Sequence, residues 1–363
     1  MSLVATRLQN WRISDPNFSK NTLRASRYGA LDLFVSQTAA PNSIITPELR
    51  EKAIRSMGNT IQIPVFNKDE VTISDARTCV IADAENTSAL YAVTFSTIAG
   101  GFTMVPAQYT NNEIGYAADF ARKMEKLRVA MANKLDGLAV AALEANKTQV
   151  FKDSLIYTPA ANTIPADWNA REDILTDVAT MMVANDYFGQ IHIVGNSGVD
   201  NMVRKLAEHG FYNDVNKQFE YGDKVFHFTN NITNAEGKYG TLYAVEAGNV
   251  GVIARLDRES AAQRTTKVGH EWSIVDLGLG VPVGLHYYEA VGDQSKIAGD
   301  ATSDLTCALK EHYGFSLDVA FVVAYNDVPT KNANPIIKAT IGKGANFAQP
   351  VTIVGTVNTK ATE

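Results

Sequence analysis

Ser197 is the first residue whose setting could support catalysis, because it stands in Gly195-Asn-Ser197-Gly198, a glycine-flanked turn such as presents a nucleophilic serine. A nucleophilic serine needs a histidine base that a carboxylate orients. None of the six histidines has a sequence context that marks it as this base, and Val199 stands where a further glycine would be expected. The pattern favours a turn that caps a helix, and a serine hydrolase using Ser197 is a remote alternative.

The other chemically suggestive residues also have structural interpretations. The stretch Gly278-Leu-Gly280-Val-Pro-Val-Gly284 could cradle a phosphate, but its glycine spacing does not match the dinucleotide fingerprint and no helical pattern follows it. It predicts a connection between two strands. His192, His227 and His286 lie within alternating strand patterns, and no spacing in the chain brings metal ligands onto one face. We expect no metal site, no cofactor and no enzymatic activity.

Composition argues against two broad classes of protein. The chain of 363 residues carries 33 Lys and Arg against 39 Asp and Glu, so its formal net charge is −6 and it lacks the basic surplus of a protein that binds nucleic acid by itself. No apolar run approaches the roughly 18 residues that span a bilayer, and the N-terminus lacks the apolar core of a secretory signal. We expect a protein made in a cytoplasm, with no membrane partner.

The N-terminal part of the chain predicts an arm, a short helix and a hairpin. Residues 1–45 are polar without a sustained period, which favours an extended arm, and Thr46-Pro47 then caps a helix over 47–57. From 59 to 108 apolar and polar residues alternate, which predicts a long two-stranded excursion. The polar tip of this hairpin consists of Phe66, Asn67, Lys68, Asp69 and Glu70.

One long helix and a mixed unit follow. Apolar residues recur at three- and four-residue steps over 112–145, which predicts an amphipathic helix of about 34 residues, roughly 50 Å long. Helices and strands alternate from about 170 to 265 as in an α+β unit. Strands then return, two of them joined by a turn at Tyr313-Gly314, and Pro335 is expected to limit the terminal stretch 336–363 to a sheet edge.

This succession of elements resembles the major capsid protein of tailed bacteriophages, with its α+β Hong Kong 97-type capsid fold. The stretches most similar to that family are Met131–Asn146, at the end of the long helix, and Asp304–Val319. The resemblance implies an N-terminal arm and short helix at 1–57, an E-loop hairpin at 58–110, a P-domain with the long spine helix at 111–169, an A-domain at 170–265, returning strands at 266–335 and a C-terminal strand or tail at 336–363.

The resemblance also implies a function. Such a protein self-assembles as pentamers and hexamers into the icosahedral shell that encloses the double-stranded DNA of a tailed phage, within the host bacterial cytoplasm. Its partners would be copies of itself, scaffold, portal and decoration proteins, and packaged DNA without sequence readout. The E-loop tip would lie across a neighbouring subunit, and we expect no covalent crosslink at Lys68. An encapsulin-type nanocompartment shell is the alternative.

Local charge within the N-terminal arm differs from that of the whole chain. An acidic inner wall would repel packaged DNA unless basic residues collect on it or mobile cations intervene. The first 30 residues contain one acidic residue, Asp15, and five basic ones. We therefore predict that a DNA-facing surface is formed by Arg7, Arg12, Lys20, Arg24 and Arg27.

Overall fold

The computed structural model confirms the α+β class, since its helices pack against two larger sheets and a separate hairpin. The described residues are 3–14, 27–56, 58–66, 75, 88–109, 113–147, 162–171, 173–185, 187–206, 211–213, 218–221, 224–262, 269–291, 309–324 and 335–343.

Helices and strands follow one another along the chain in a mixed order. The helices are α1 (Leu3–Ser14), α2 (Gly29–Thr38), α3 (Pro47–Arg55), α4 (Glu113–Ala145), α5 (Ile174–Ala184), α6 (Ser197–Leu206) and α7 (Arg258–Ala262). The strands are β1 (Thr60–Phe66), β2 (Ser88–Thr94), β3 (Ser96–Met104), β4 (Ile164–Ala166), β5 (Ile191–Gly195), β6 (Phe211–Asn213), β7 (Gln218–Tyr221), β8 (Lys224–Phe228), β9 (Lys238–Glu246), β10 (Val250–Arg255), β11 (His270–Asp276), β12 (Pro282–Val291), β13 (Leu309–Val323) and β14 (Ile336–Gly342).

Strand β13 organises a five-stranded sheet because both of its edges are paired. Strands β12 and β10 pair antiparallel with successive halves of β13, and β3 pairs antiparallel with its other edge. Strand β11 extends the sheet beyond β12. Alternate side chains of β13 are buried against α4, where Phe120 contacts Phe102 and Tyr313 edge-on at 5.6 and 5.3 Å between ring centroids. The long helix therefore lies along this sheet.

A seven-stranded mixed sheet, in the order β4-β14-β9-β5-β8-β7-β6, is covered on both faces. Alternate residues of β5 point to opposite sides: Ile191 and Ile193 pack with α5 and α6, whereas Val194 packs in the core that contains α2 and α4. Strand β5 is consequently buried along its whole length. This explains why its sequence is an almost continuous apolar run rather than an alternating one.

The hairpin of β1 and β2 is anchored by a helix of its own chain. Thr46 caps α3 by accepting a hydrogen bond from the Leu49 backbone N–H at 3.2 Å, as the sequence predicts. Leu49 then packs with Ile61, Ile63 and Val93 on the inner face of the hairpin. The base of the hairpin is thus folded onto its own subunit, and its other face remains exposed.

Helix α2 is the most enclosed of the described helices for its length: seven of its ten residues are buried. A Cβ on Gly29 would lie 2.4 Å from the backbone nitrogen of Phe228, so the first turn of α2 requires glycine to approach β8. Asp136 of α4, which is 0% exposed, accepts a hydrogen bond from the Leu31 N–H at 2.9 Å. A carboxylate at the N-terminus of a helix satisfies free N–H groups and complements the helix dipole.

Several expectations from the sequence are confirmed. The helix expected over 112–145 is present as α4, and the helix expected over 47–57 is present as α3. The glycine-rich stretch from Gly278 connects β11 to β12 and opens no helix. The succession of hairpin, long helix, mixed α/β unit and returning strands is also observed.

The extended N-terminal arm is not observed, because the described residues of that segment include two helices, α1 and α2. Helix α2 is surrounded by apolar partners and therefore lacks the one-sided periodicity from which a surface helix is predicted. The two-stranded excursion is also shorter than expected. Strand β3 leaves the hairpin at Ser96 and joins β13 in the larger sheet.

Two predictions about returning strands were wrong. Tyr313-Gly314 forms no turn: β13 runs straight through it, and Gly314 pairs with His286 on one side and Gly101 on the other. A Cβ on Gly101 would lie 2.4 Å from the Tyr313 carbonyl oxygen, so close strand packing explains this glycine. Strand β14 lies between β4 and β9 rather than at an edge, and Pro335 precedes its first paired residue and removes no ladder donor.

We expect Asp136→Ala to lower the free energy of unfolding by about 3 kcal/mol, because several buried donors would lose their acceptor at once. Thr229 Oγ1 and Asn231 Nδ2 also donate to this carboxylate. The matched control is Asp119→Ala, on the same helix but partly exposed, which should cost less than about 1 kcal/mol. Urea denaturation of both variants measures the difference, and equal losses would contradict the assignment.

Candidate assembly surfaces

The outer face of the β1–β2 hairpin carries an exposed apolar side chain. Leu90 is 66% exposed and pairs in register with Pro64, which is also exposed. Arg255 of β10 fixes where the hairpin leaves the subunit: it donates to the carbonyl oxygens of Ser56 and Gly58 at 2.9 and 2.7 Å. The hairpin therefore has a defined origin and an outer face that the described residues leave uncovered.

The five-stranded sheet presents a second open surface, on the face opposite α4. Aromatic rings stack across three strands, with centroid separations of 4.5 Å for Trp272 with His286 and 4.5 Å for Tyr288 with His312. All the rings are half-buried, and among the described elements α7 lies against this face near Gly284, where Ser260 is found. We call this set the ring stack; its members are His270, Trp272, His286, Tyr288 and His312.

Two histidines of the ring stack have a lowered pKa, which favours their neutral forms. Burial and the neighbouring His270 lower the pKa of His286, and burial and Lys310 lower the pKa of His312. His270 Nδ1 lies 2.8 Å from His286 Nε2, within hydrogen-bond distance. This surface was not predicted from the sequence, although the spacing of His270 with Trp272 and of His286 with Tyr288 is the period-two signal of one strand face.

Further apolar side chains are exposed singly elsewhere on the subunit. The most exposed is Phe188, at 73%, which follows the end of α5 near the half-exposed Val183. The others are Ile54 on α3 and Leu309 at the start of β13, whereas Ile274 on β11 shares the strand face of Trp272. Isolated exposed apolar residues are normal, so these residues alone do not define an interface.

Helix α1 is attached to the five-stranded sheet through a charged cluster. Arg7 donates to Glu311 Oε2 at 2.7 Å and to the Tyr313 hydroxyl at 2.8 Å. Tyr116 of α4 donates to the same carboxylate, and burial together with this hydrogen bond raises the pKa of Tyr116. Glu311 is only 4% exposed, so Arg7 neutralises a nearly buried charge.

Solved phage structures are similar to this chain over most of its length. A structure titled "Mycobacterium phage Che8" shares 11% identity with a TM-score of 0.45, covering 81% of this chain and 88% of that chain. One titled "Capsid structure of the Cyanophage P-SCSP1u" shares 10% with a TM-score of 0.44, covering 80% and 85%. One titled "Capsid of native GTA particle computed with C5 symmetry" shares 11% with a TM-score of 0.43, covering 83% and 92%. No family model and no curated protein matches the sequence.

The structure describes only part of the hairpin tip named from the sequence. Phe66 ends β1 and pairs with Ser88 of β2. Asn67, Lys68, Asp69 and Glu70 lie outside the described residues. Cys79 and Cys307 lie outside them as well.

The five basic residues of the N-terminal segment have different settings. Arg7 is paired with Glu311 within the chain. Arg12 belongs to α1, and Arg27 is exposed just before α2. Lys20 and Arg24 lie outside the described residues. The DNA-facing role of the five residues stays a prediction.

Ser197 lacks the arrangement of a nucleophile. It begins α6, and the neighbouring Asn196 side chain accepts from the Gly198 and Thr241 N–H groups. The two histidines of the same sheet, His192 and His227, use all their ring nitrogens in contacts with other residues. The described part of the chain contains no group of three or more potential metal-ligating His, Cys, Asp or Glu side chains, and none of its helices is long and apolar enough to cross a bilayer.

Arg7→Met should lower the free energy of unfolding by about 2 kcal/mol, because Glu311 would remain buried without its cation. The matched control, Arg27→Met, removes an exposed arginine and should change stability by less than about 0.5 kcal/mol. Chemical denaturation compares the two. If Arg7→Met were as neutral as its control, α1 would not be held by this ion pair.

Proposed function

We propose that this protein is the major capsid protein of a tailed phage, the subunit of an icosahedral shell that encloses double-stranded DNA. One observation carries the proposal: the β1–β2 hairpin is fixed at its base by α3 and Arg255, yet its outer face, with Leu90, is left to solvent. A two-stranded hairpin is marginal in water by itself. It gains stability when the outer face is buried on a second copy of the chain.

The arrangement of the other elements supports the same function. A closed shell is built from repeated contacts between identical subunits, so its subunit needs rigid modules and extended elements rather than a catalytic pocket. Helix α4 stiffens the five-stranded sheet, and α5 and α6 stiffen the seven-stranded sheet. The ring stack supplies a further, half-buried aromatic face for contact with another subunit.

The proposed partners are copies of this chain as pentamers and hexamers, together with scaffold, portal and decoration proteins. Packaged DNA is bound without sequence readout, and the mature location is the virion capsid after assembly in the host cytoplasm. The protein is not an enzyme in this proposal. The net charge of −6 requires basic residues to be concentrated where the wall meets DNA, and residues 12–27 are the proposed segment.

Leu90→Asp should abolish shell formation and leave the isolated subunit folded, because a side chain that is 66% exposed contributes little to the subunit's own core. A carboxylate buried between two subunits without a partner would cost several kcal/mol at each contact. Negative-stain microscopy and analytical ultracentrifugation measure assembly, and circular dichroism measures folding.

The matched control for that experiment is Leu90→Met, which keeps an apolar side chain of similar volume and should assemble normally. Shells of normal yield from Leu90→Asp would show that this face is not an interface. A wild-type protein that stays monomeric under every assembly condition, together with absence of the chain from virions, would remove the capsid proposal itself.

The nucleic-acid content of the particles separates the proposal from an encapsulin-type nanocompartment. A capsid holds a phage genome, whereas a nanocompartment holds a protein cargo. Replacing Arg12, Lys20, Arg24 and Arg27 together by glutamate should leave shell assembly intact and lower genome retention at least tenfold, since phosphates would face like charges. Replacing the three arginines by lysine is the matched control and should retain the genome. Unchanged DNA content in the glutamate variant, measured by quantitative PCR of nuclease-treated particles, would overturn the DNA-facing role.

A further inference from the structure

Five groups form a continuous hydrogen-bonded chain between α2 and the seven-stranded sheet. The Gly248 N–H contacts Gln37 Oε1 at 2.6 Å, and Gln37 Nε2 lies 3.0 Å from His192 Nε2. His192 Nδ1 lies 3.0 Å from His227 Nε2, and His227 Nδ1 lies 3.3 Å from Asp32 Oδ2. We call this chain the relay. The side chains of Asp32, Gln37, His192 and His227 are all buried.

The direction of every bond in the relay follows from its first member. A backbone N–H can only donate, so Gln37 must turn its oxygen to Gly248 and its NH₂ group to His192. His192 must then accept at Nε2 and carry its proton on Nδ1, which donates to His227 Nε2. His227 in turn carries its proton on Nδ1 and donates to Asp32. The geometry assigns one ring proton to each histidine.

An additional proton has no place in this relay. Protonation of His192 at Nε2 would place its N–H against the NH₂ group of Gln37, so that two donors face each other. Rotating the Gln37 amide by about 180° would instead place its NH₂ group against the Gly248 N–H. Protonation of His227 at Nε2 would create the conflict between the two histidine rings. Because these groups are 2–6% exposed, water is excluded as an alternative partner.

We propose that the relay is an acid-sensitive latch that holds α2 on the seven-stranded sheet and releases it when a histidine takes up a second ring proton. Asp32 and Gln37 belong to α2, whereas His192 and His227 belong to β5 and β8 of the sheet. The latch therefore joins α2 to the strands from which it would separate. This device belongs to the fold of the subunit and does not depend on whether the subunit forms shells.

The charged and titratable groups around the relay do not replace the histidines as the acid-sensitive element. The groups that act directly on His192 are His227 and Asp32. On α4, Asp136 is bound to Leu31 and Thr229, and Glu144 is bound to Lys338 and to Tyr243 of β9. Lys224 lies at the far end of β8, three residues before His227.

The sign of the pH dependence follows from the histidine that the fold keeps neutral. Burial and the neighbouring His227 lower the pKa of His192 to about 3, against about 6.5 in an unfolded chain. The unfolded state therefore binds more protons below pH 6.5, and the stabilisation by neutral His192 is present above that pH and lost as pH falls. When unfolding takes up one proton, the unfolding equilibrium constant increases about tenfold for each unit by which pH decreases.

The test is urea denaturation of the purified protein between pH 7.5 and 5. His192→Gln offers an oxygen to Gln37 and an NH₂ group to His227 but cannot titrate. For each unit that pH falls below 6.5, the unfolding equilibrium constant of the wild type should therefore increase by a factor about ten times larger than that of the variant. His270→Gln, the same substitution in the half-exposed ring stack, is the matched control and should leave most of the wild-type slope. Equal slopes for His192→Gln and the wild type would overturn the proposal.

A second measurement needs no variant. Nitrogen-15 NMR of histidine-labelled protein reports which ring nitrogen carries the proton, and the relay requires Nδ1–H on His192 and His227 with no ring protonation of His192 at pH 5.5. Hydrogen exchange, corrected for intrinsic rates, should show α2 opening at least tenfold more often at pH 5 than at pH 7. Ordinary titration of His192 near pH 6.5, or exchange of α2 that is independent of pH, would contradict the latch.

Discussion

Enclosure of α2 is the constraint on which the rest of the subunit depends. A helix leaves its first N–H groups without internal partners, and a buried polar group that lacks a partner costs roughly 1–3 kcal/mol. Helix α2 lies between the five-stranded sheet, α4 and the seven-stranded sheet, where little water is available. Its polar groups must therefore be satisfied by side chains of other elements, and each of those side chains fixes one element relative to α2.

Asp136 and the relay meet this requirement at the two ends of the helix. Asp136 brings α4 and the end of β8 to the first turn of α2, through Leu31 and Thr229. The relay brings β8 to Asp32 in the first turn, and it brings β5 and the β9–β10 turn to Gln37 near the end of the helix. Apolar packing alone tolerates small shifts between elements, whereas these bonds have fixed directions and lengths. The position of α4 against the sheets is thus specified more narrowly than its apolar face would specify it.

Local patterns in the sequence predicted those elements that have one buried and one exposed face. Helix α4 and the β1–β2 hairpin are of this kind, and Thr46 marks the start of α3 in the manner of an N-cap. Elements enclosed on both sides carry no such alternation. For this reason the sequence predicts an extended arm where the structure contains α2. The sequence also does not predict that β13 continues through Gly314. Tyr313-Gly314 is typical of a turn, but the glycine here allows close packing between strands.

The candidate surfaces were predictable to a smaller extent, since they depend on contacts between distant positions. The hairpin strands follow from alternation, but the pairing of Arg7 with Glu311 joins residues 304 positions apart. Local charge suggested a free basic arm, whereas the fold uses one of those charges inside the subunit. The same reasoning applies to the histidines. Alternation places His192 on a strand, but only the fold shows that α2 supplies the groups on either side of the two histidines, Gln37 and Asp32.

Buried polar groups around α2 are hydrogen-bonded, whereas the exposed apolar and aromatic side chains of the hairpin and the ring stack lie on strand faces. This difference affects how the protein can contact a partner. The directional hydrogen bonds lie between α2, α4 and the sheets, so the subunit holds one shape before it meets a partner. Its uncovered features, Leu90 on the hairpin and the ring stack, lie instead on strand faces whose backbone bonds are already made. Contact with another copy can therefore bury side chains without breaking a strand ladder. Contact at these two faces therefore costs little further conformational entropy in the described strands, because they are already ordered when the chain folds.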